Sequence, residues 1–314
     1  MKNNYLPTDY QTFIATSRYA RWLEDEGRRE TWGETVHRYM KHIVYQALRC
    51  PSLGEQVDDY DSGSRIGYGA LEIEIRDAIL SLEVMPSMRS LMTAGKAADR
   101  DNTCMYNCSY LPVDDPKSFD EAMFILLCGT GVGFSVERQF IAKLPDVPTL
   151  FQSDTTVVIK DSKEGWAKGL RQVLALLWAG EIPKWDVSKV RPAGARLKTF
   201  GGRASGPAPL IDLFNFAVTT FRQAQGRKLS SIECHDLMCK IGEVVVVGGV
   251  RRSAMISLSN LSDDRMRHAK SGNWWETAGH RALANNSVSY TDKPDSMSFM
   301  REWTALMESG SGER

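Results

Sequence analysis

Hydrophobic positions recur in this chain with two alternating periods. Trp32, Val36, Tyr39, Met40, Ile43, Val44, Ala47 and Leu48 lie at helical spacing, opened by a capping-box pattern at Thr31-Trp32-Gly33-Glu34. That helix should stop near Cys50-Pro51. The preceding residues 1–30 are polar and show no period. A second helix is predicted over 69–84, halted by Pro86. Residues 87–117 read as irregular chain and short strand. Ser118-Phe119-Asp120-Glu121 is a second capping-box pattern, opening an apolar helix from Ala122 to Cys128 that Gly129 ends. Phe134 to Glu137 and Val157 to Ile159 read as strands, with loop over 138–155. Trp166, Leu170, Val173, Leu174 and Leu177 predict a helix over 162–178. Residues 183–206 are rich in Gly, Pro, Arg and Lys and read as an ordered loop. Helices follow over 208–225 and 230–241. The runs Val244-Val245-Val246-Val247 and Met255-Ile256-Ser257-Leu258 read as strands. The tail holds a helical patch near 262–270, the segment Ala284 to Tyr290, in which Asn285-Asn286-Ser287 precedes a short strand, and a last helix from about 295. Helices alternating with apolar strands imply an α/β fold with a parallel sheet. The pattern alone leaves a doubly wound sheet and a barrel equally open.

Composition narrows the class. Of 314 residues, 42% are apolar and 25% charged, ordinary for a globular chain. Lys plus Arg and Asp plus Glu balance at 39 each, so a broadly basic nucleic-acid surface is not indicated. No secretory leader pattern opens the sequence and no apolar run is long enough for a bilayer, which makes the cytoplasm the expected compartment and a membrane partner unexpected. The six cysteines are Cys50, Cys104, Cys108, Cys128, Cys234 and Cys239. In that compartment they read as buried thiols, metal ligands or redox groups rather than a disulfide framework. Neither Cys104/Cys108 nor Cys234-His235/Cys239 has the paired spacing of a zinc ribbon.

Three short segments carry candidate chemistry. In Gly248-Gly249-Val250-Arg251-Arg252-Ser253-Ala254, paired glycines permit a tight turn and close approach to a ligand. The adjacent arginines offer donor forks for phosphate or a base edge. A hairpin with a basic tip is the plainer reading. Gly129-Thr130-Gly131-Val132-Gly133 follows a helix and precedes a strand, the reverse of a dinucleotide fingerprint, and lacks the lysine of a phosphate loop. Cys108 stands between Asn107 and Ser109, a polar setting suited to a thiol that must be reached and exchanged. Asn285-Asn286-Ser287 could orient a ribose or form a polar turn. Trp274-Trp275 reads as a packing anchor.

These segments, with others in the same order, resemble the adenosylcobalamin-dependent (class II) ribonucleotide reductases of the monomeric, ribonucleoside-triphosphate type. The shared stretches include Ser17-Arg18-Tyr19-Ala20-Arg21-Trp22, the Arg28 to Val36 segment, Pro86 to Gly95, Asn107-Cys108-Ser109, Gly131-Val132-Gly133, Asp161 to Trp166, Arg191-Pro192, Phe200 to Pro207, and Gly248 to Ala254. The resemblance implies the N-terminal half of a ten-stranded α/β barrel, with a helical N-terminal region over 1–85, barrel over 86–314, an effector and specificity segment near 136–254, and an inserted helical segment over 162–240. It implies Cys108 as one of the reducing cysteine pair, and Ser90, Asn107, Gly131 and Arg251 at the substrate. Asp115 and the 136–147 region would meet a deoxynucleotide effector, with Gly248, Gly249, Arg251, Arg252 and Ser253 as specificity loop. Adenosylcobalamin, a dithiol reductant and a thioredoxin-like partner would be its cofactor and electron sources.

The family's thiyl-radical cysteine lies on a loop reading Asn-Pro-Cys-Gly-Glu, which this sequence does not contain. The resemblance therefore implies the N-terminal portion of a reductase that needs a C-terminal fragment for turnover and contains few of the cobalamin contacts. The alternative is a non-catalytic deoxynucleotide-binding fragment.

Overall fold

The computed structural model describes residues 6–48, 66–195, 203–247 and 254–313. The chain divides into two compact units, 1–107 and 108–314.

In the first unit, helix α1 (Asp9–Ile14) appears where no periodic signal exists; Thr8 and Gln11 cap each other around it. A minimal ribbon of β1 (Trp22–Leu23) and β2 (Arg28–Arg29) leads to α2 (Trp32–Tyr39), which runs on through a π-turn into α3 (Tyr45–Leu48). The capping box at Thr31 forms as expected, with the Glu34 carboxylate accepting from the Thr31 N–H at 2.7 Å. The remaining helices are α4 (Ile66–Leu80), α5 (Met88–Thr93) and α6 (Lys96–Arg100), the last two lying in a stretch predicted to be irregular. Trp32, Val36, Met40, Val44, Ile79 and Leu91 form the core. Arg38 is its polar clamp: its guanidinium donates to Glu30 at 2.8 Å, to the Leu91 and Ala94 carbonyls at 2.8 Å, and to the Tyr19 carbonyl at 3.0 Å. Burial alone would raise the Glu30 pKa, but these donors hold it below the usual carboxylate range.

The second unit is the α/β part. Its order is β3 (Cys108–Pro112), α7 (Lys117–Leu127), β4 (Gly131–Ser135), α8 (Arg138–Ile141), β5 (Phe151–Val158), α9 (Lys163–Trp178), β6 (Glu181–Asp186), α10 (Ala208–Gln223), α11 (Ser231–Val247), β7 (Met255–Asn260), α12 (Asp264–Arg267), α13 (Trp274–Thr277), β8 (Ala284–Ser289) and α14 (Ser296–Ser309). Strands β3, β4, β7 and β8 form one parallel sheet in that order, and β5 pairs with β6 in a second parallel pair. Helices α7, α9, α10 and α11 bury Phe119, Met123, Leu126, Leu170, Leu174, Phe214, Phe221 and Leu237 in a common core. Trp178 meets Phe221 edge-on at 4.7 Å between centroids.

Four sequence expectations change here. Val244 to Val247 is the last turn of α11, not a strand. A run of four valines cannot reveal its period, and packing of the buried Val244 and Val245 outweighs valine's modest helix propensity. Strand β5 extends the predicted strand at Val157 back to Phe151, through residues predicted to be loop, and helix α8 lies in the same predicted loop. Most of β5 is exposed and polar, so it lacks the apolar alternation that announces a strand. Pro183 lies within β6, tolerated because a two-stranded pair has only edges. The box at Ser118 does not form: α7 already starts at Lys117, whose N–H donates to the Asp115 carboxylate at 2.8 Å.

Helix α9 is tightly seated at its start. A Cβ on Gly165 would stand 2.3 Å from the Lys160 carbonyl oxygen, a backbone atom that cannot swing aside. Gly165→Ala should destabilise the second unit by roughly 1–3 kcal/mol, the usual penalty of overpacking. Urea unfolding of the variant checks this, and an unchanged midpoint would refute it.

Candidate active-site face

The turn between α7 and β4 builds the site. After Leu127 the backbone needs a left-handed residue, and Gly129 supplies it at φ 80°. The Gly129 N–H donates to the Leu126 carbonyl at 2.8 Å and the Thr130 N–H to the Ile125 carbonyl at 3.2 Å, closing the helix. The chain then enters β4 with Gly131 in register with Cys108, and the Ser109 hydroxyl donates to the Gly131 carbonyl at 2.9 Å.

Register then decides what shares a face. Cys108 aligns with Gly131, while Tyr110, Gly133, Ile256 and Asn285 form the next row on that side. Ser287 follows two residues beyond Asn285, on the same side by strand alternation. Tyr110 is 54% exposed and Ile256 41%, although both lie within the four-stranded sheet. Cys108 is also exposed, and it is a free thiol. A Cβ on Gly133 would stand 3.3 Å from Ile256 Cγ2 and 3.7 Å from Tyr110 Cδ2. The two glycines therefore place no side chain of β4 on this face, and the tyrosine and isoleucine side chains close in over Gly133, with Cys108 at the start of the same row.

The opposite face is dry. Val132, Phe134, Met255, Ser257, Ala284 and Asn286 are buried on it. Behind β7, His235 of α11 lies wholly buried, its Nδ1 3.0 Å from the Ser257 hydroxyl and its Nε2 3.5 Å from Cys239 Sγ. Burial pushes this imidazole down to about 3. The folded state thus keeps His235 neutral where an unfolded chain, with a pKa near 6.5, takes up a proton. Its contribution to stability is whole above about pH 6.5 and is lost as pH falls towards 3. Between pH 7 and pH 5 the expected loss is about 2 kcal/mol. Urea titrations at the two pH values should show this slope in the parent chain and a reduced slope in His235→Gln. Equal slopes would refute it.

The residues expected from the sequence divide between places. Ser90 lies in α5 and Asn107 ends the first unit, exposed; Cys108 and Gly131 belong to the second and are brought together. Asp115 lies past the other end of β3, roughly 13 Å or more from Cys108 at about 3.3 Å per residue. There it caps α7. Near this carboxyl edge the buried Glu137 accepts from the Ser135 hydroxyl at 2.7 Å, and the Arg138 N–H donates to Asn260 at 2.6 Å. Gly248, Gly249, Arg251, Arg252 and Ser253 lie outside the described residues. Tyr110 and Ile256 were not singled out from the sequence; their signal was the two-residue period they share with Cys108 and Leu258. Asn285, Asn286 and Ser287 lie inside β8 rather than before it, and only Asn285 and Ser287 lie on the open side. Trp275 is 59% exposed, so the tryptophan pair is at most half an anchor.

Among the described residues no helix is long and apolar enough to cross a membrane. The family model of the B12-dependent ribonucleotide reductase insertion domain matches residues 149–220, which hold β5, α9, β6 and most of α10. The adenosylcobalamin-dependent ribonucleoside-triphosphate reductase of Lacticaseibacillus paracasei is 29% identical, over 89% of this chain and 45% of the relative. Its counterpart from Lactobacillus delbrueckii subsp. bulgaricus is 30% identical, over 86% and 43%. The crystal structure of a B12-dependent (class II) ribonucleotide reductase superposes with a TM-score of 0.75 at 25% identity, covering 88% of this chain and 45% of that one. The chain spans less than half the length of these proteins. Over most of its own length the chain is similar to the adenosylcobalamin-dependent, class II ribonucleotide reductases and shares their α/β fold.

Proposed function

We propose that this chain is the N-terminal part of a reductase that converts ribonucleoside triphosphates to deoxyribonucleotides. The observation that carries the reading is the exposed Cys108 thiol at the start of β3, in register with Gly131 on the open face of a parallel sheet. Cys108 acts as one of two reducing thiols. The pair gives up two electrons and two protons as it becomes a disulfide; the 2′-hydroxyl leaves as water and hydrogen takes its place. An external dithiol, delivered by a thioredoxin-like protein, resets the pair by exchange.

The backbone of β4, bare of side chains at Gly131 and Gly133, lets the ribose approach closely. Tyr110 and Ile256 flank it and exclude water, and Asn285 and Ser287 offer amide and hydroxyl groups to the sugar. By the resemblance, Ser90, Asn107 and Arg251 are further substrate-binding residues. A deoxynucleotide effector binds at the carboxyl edge, around Asp115 and residues 136–147, and residues 248–253 relay its identity. Residues 1–85 are the helical N-terminal region, and 86–314 begin the barrel.

Adenosylcobalamin supplies the initiating radical when bound. The open face holds small and apolar side chains with a few polar groups, which suit a ribose and do not assemble a corrin-sized site. No residue of this chain is assigned to the cofactor. The second thiol and the radical-bearing cysteine lie on a C-terminal portion, so the chain by itself is inactive. The test is deoxynucleotide formation from ribonucleoside triphosphate, adenosylcobalamin and dithiol. The isolated chain should give none, and the chain combined with a C-terminal portion should turn over. Turnover by the isolated chain at a rate typical of the family would overturn the reading.

A further inference from the structure

Cys128 and Lys163 form a contact that the reductase reading leaves unused. Cys128 closes the C-terminus of α7, directly before Gly129, and only 1% of its surface is exposed. Lys163 is the first residue of α9, and its partly buried side chain reaches back so that Nζ lies 3.0 Å from Cys128 Sγ. The same Nζ lies 4.7 Å from the centre of the Phe124 ring, which fixes its approach from the α7 side. Both ends of the pair are anchored. Ser162 caps α9 by accepting from the Gly165 N–H at 3.0 Å, and the Cys128 N–H donates back into α7 at 3.0 Å. An amine is therefore held at contact distance from a sulfur, inside one compact unit, with little freedom to part.

We propose that Cys128 and Lys163 form a reversible oxidative crosslink, a sulfur–nitrogen bond made when peroxide reaches the pair. An ammonium beside a thiol favours the thiolate, the form that peroxide attacks. Sulfur gives two electrons to the peroxide, whose O–O bond breaks, and Cys128 becomes a sulfenic acid. Sulfenic acids condense with nearby nitrogen or thiol nucleophiles. Here the Lys163 amine displaces the sulfenic oxygen. The ion pair and one hydrogen peroxide give one sulfenamide and two waters, with no further reactant. Burial of Cys128 holds the sulfenic acid away from thiols of other molecules, and Lys163 Nζ stands 3.0 Å from its sulfur. A dithiol reverses the bond by attack at sulfur.

The crosslink would tie the end of α7 to the start of α9, next to the turn that sets Gly131 beside Cys108. It would stiffen the entry to the open face when the surroundings turn oxidising.

The folded chain is treated with hydrogen peroxide, digested without reductant and mapped by mass spectrometry. The expected product is a Cys128 peptide joined to a Lys163 peptide, lighter by two hydrogens than the sum of the two. It should vanish after dithiothreitol and be missing from Lys163→Gln, a variant expected to keep its fold because Lys163 is partly exposed; its melting curve checks that. Cys128 recovered as a free thiol or a sulfinic acid, with Lys163 unlinked, would overturn the proposal.

Discussion

Replacing Cys108 with serine is expected to abolish multiple turnover in the reductase assembled from this chain and its C-terminal portion. The loss should be at least about a thousandfold, or ~4 kcal/mol in barrier terms, because one of the two electron-donating thiols is gone and a hydroxyl cannot form the disulfide. The substitution lies at an exposed strand start and should leave folding untouched. Cys108 should also dominate the fast reaction of the native chain with a thiol reagent. Cys104, Cys128, Cys234 and Cys239 are buried, and burial pushes the Cys234 and Cys239 thiols further from the reactive thiolate. Serine at 234 or 239 should therefore leave reduction intact. Retained turnover in Cys108→Ser, with a normal melting curve, would remove this residue from the chemistry.

The largest stability effect is expected at Asp236. This carboxylate on α11 receives both arms of Arg281, at 2.6 and 2.7 Å, while the third guanidinium nitrogen donates to the Ala269 carbonyl at 2.7 Å. Both side chains are more than four-fifths buried. Burial would raise the Asp236 pKa, but Arg281 and His280 hold it below the usual range. Asp236→Ala leaves the guanidinium buried and unpaired, and should cost about 3–5 kcal/mol. Removing both partners, as in Asp236→Leu with Arg281→Met, should recover most of that loss because no charge is left stranded. The double variant tests whether the penalty comes from the orphaned charge. Denaturant unfolding of the three proteins decides it, and a single variant within 1 kcal/mol of the parent would show the pair to be water-accessible.

The pair also matters to the site. Arg281 lies in the 3-10 turn Gly279–Leu283 that feeds β8, and Asp236 lies on the helix behind β7. Together they fix where Asn285 enters the open face.

Much of this was legible in the sequence wherever one face of an element is wet. The helices around Trp32, Leu170 and Phe214 were visible because apolar residues recur at their period, and the Thr31 box marked its helix start. The signal failed where a run is too short to show a period or where both faces are wet. Val244 to Val247 is four valines at a helix end and has no readable period; most of β5 is exposed and polar, and its first residues look like a loop. The role proposed for Cys108 rests on its polar neighbours and the reductase-like order of motifs. Its setting was not legible. That Gly131 lies beside it depends on the α7 crossover and its Gly129 turn, and that Tyr110, Ile256 and Asn285 share its face depends on strand register. Neither is encoded in local spacing. Asp115 was read as an effector contact from resemblance, and the structure adds its role as the cap of α7.

The most direct test of the central claim is the redox state of Cys108 after one turnover without external reductant. The complete protein is supplied with ribonucleoside triphosphate and adenosylcobalamin, quenched, alkylated and mapped. The account predicts Cys108 in a disulfide with a cysteine outside this chain, formed in step with deoxynucleotide. Deoxynucleotide formed while Cys108 remains a free thiol would contradict it.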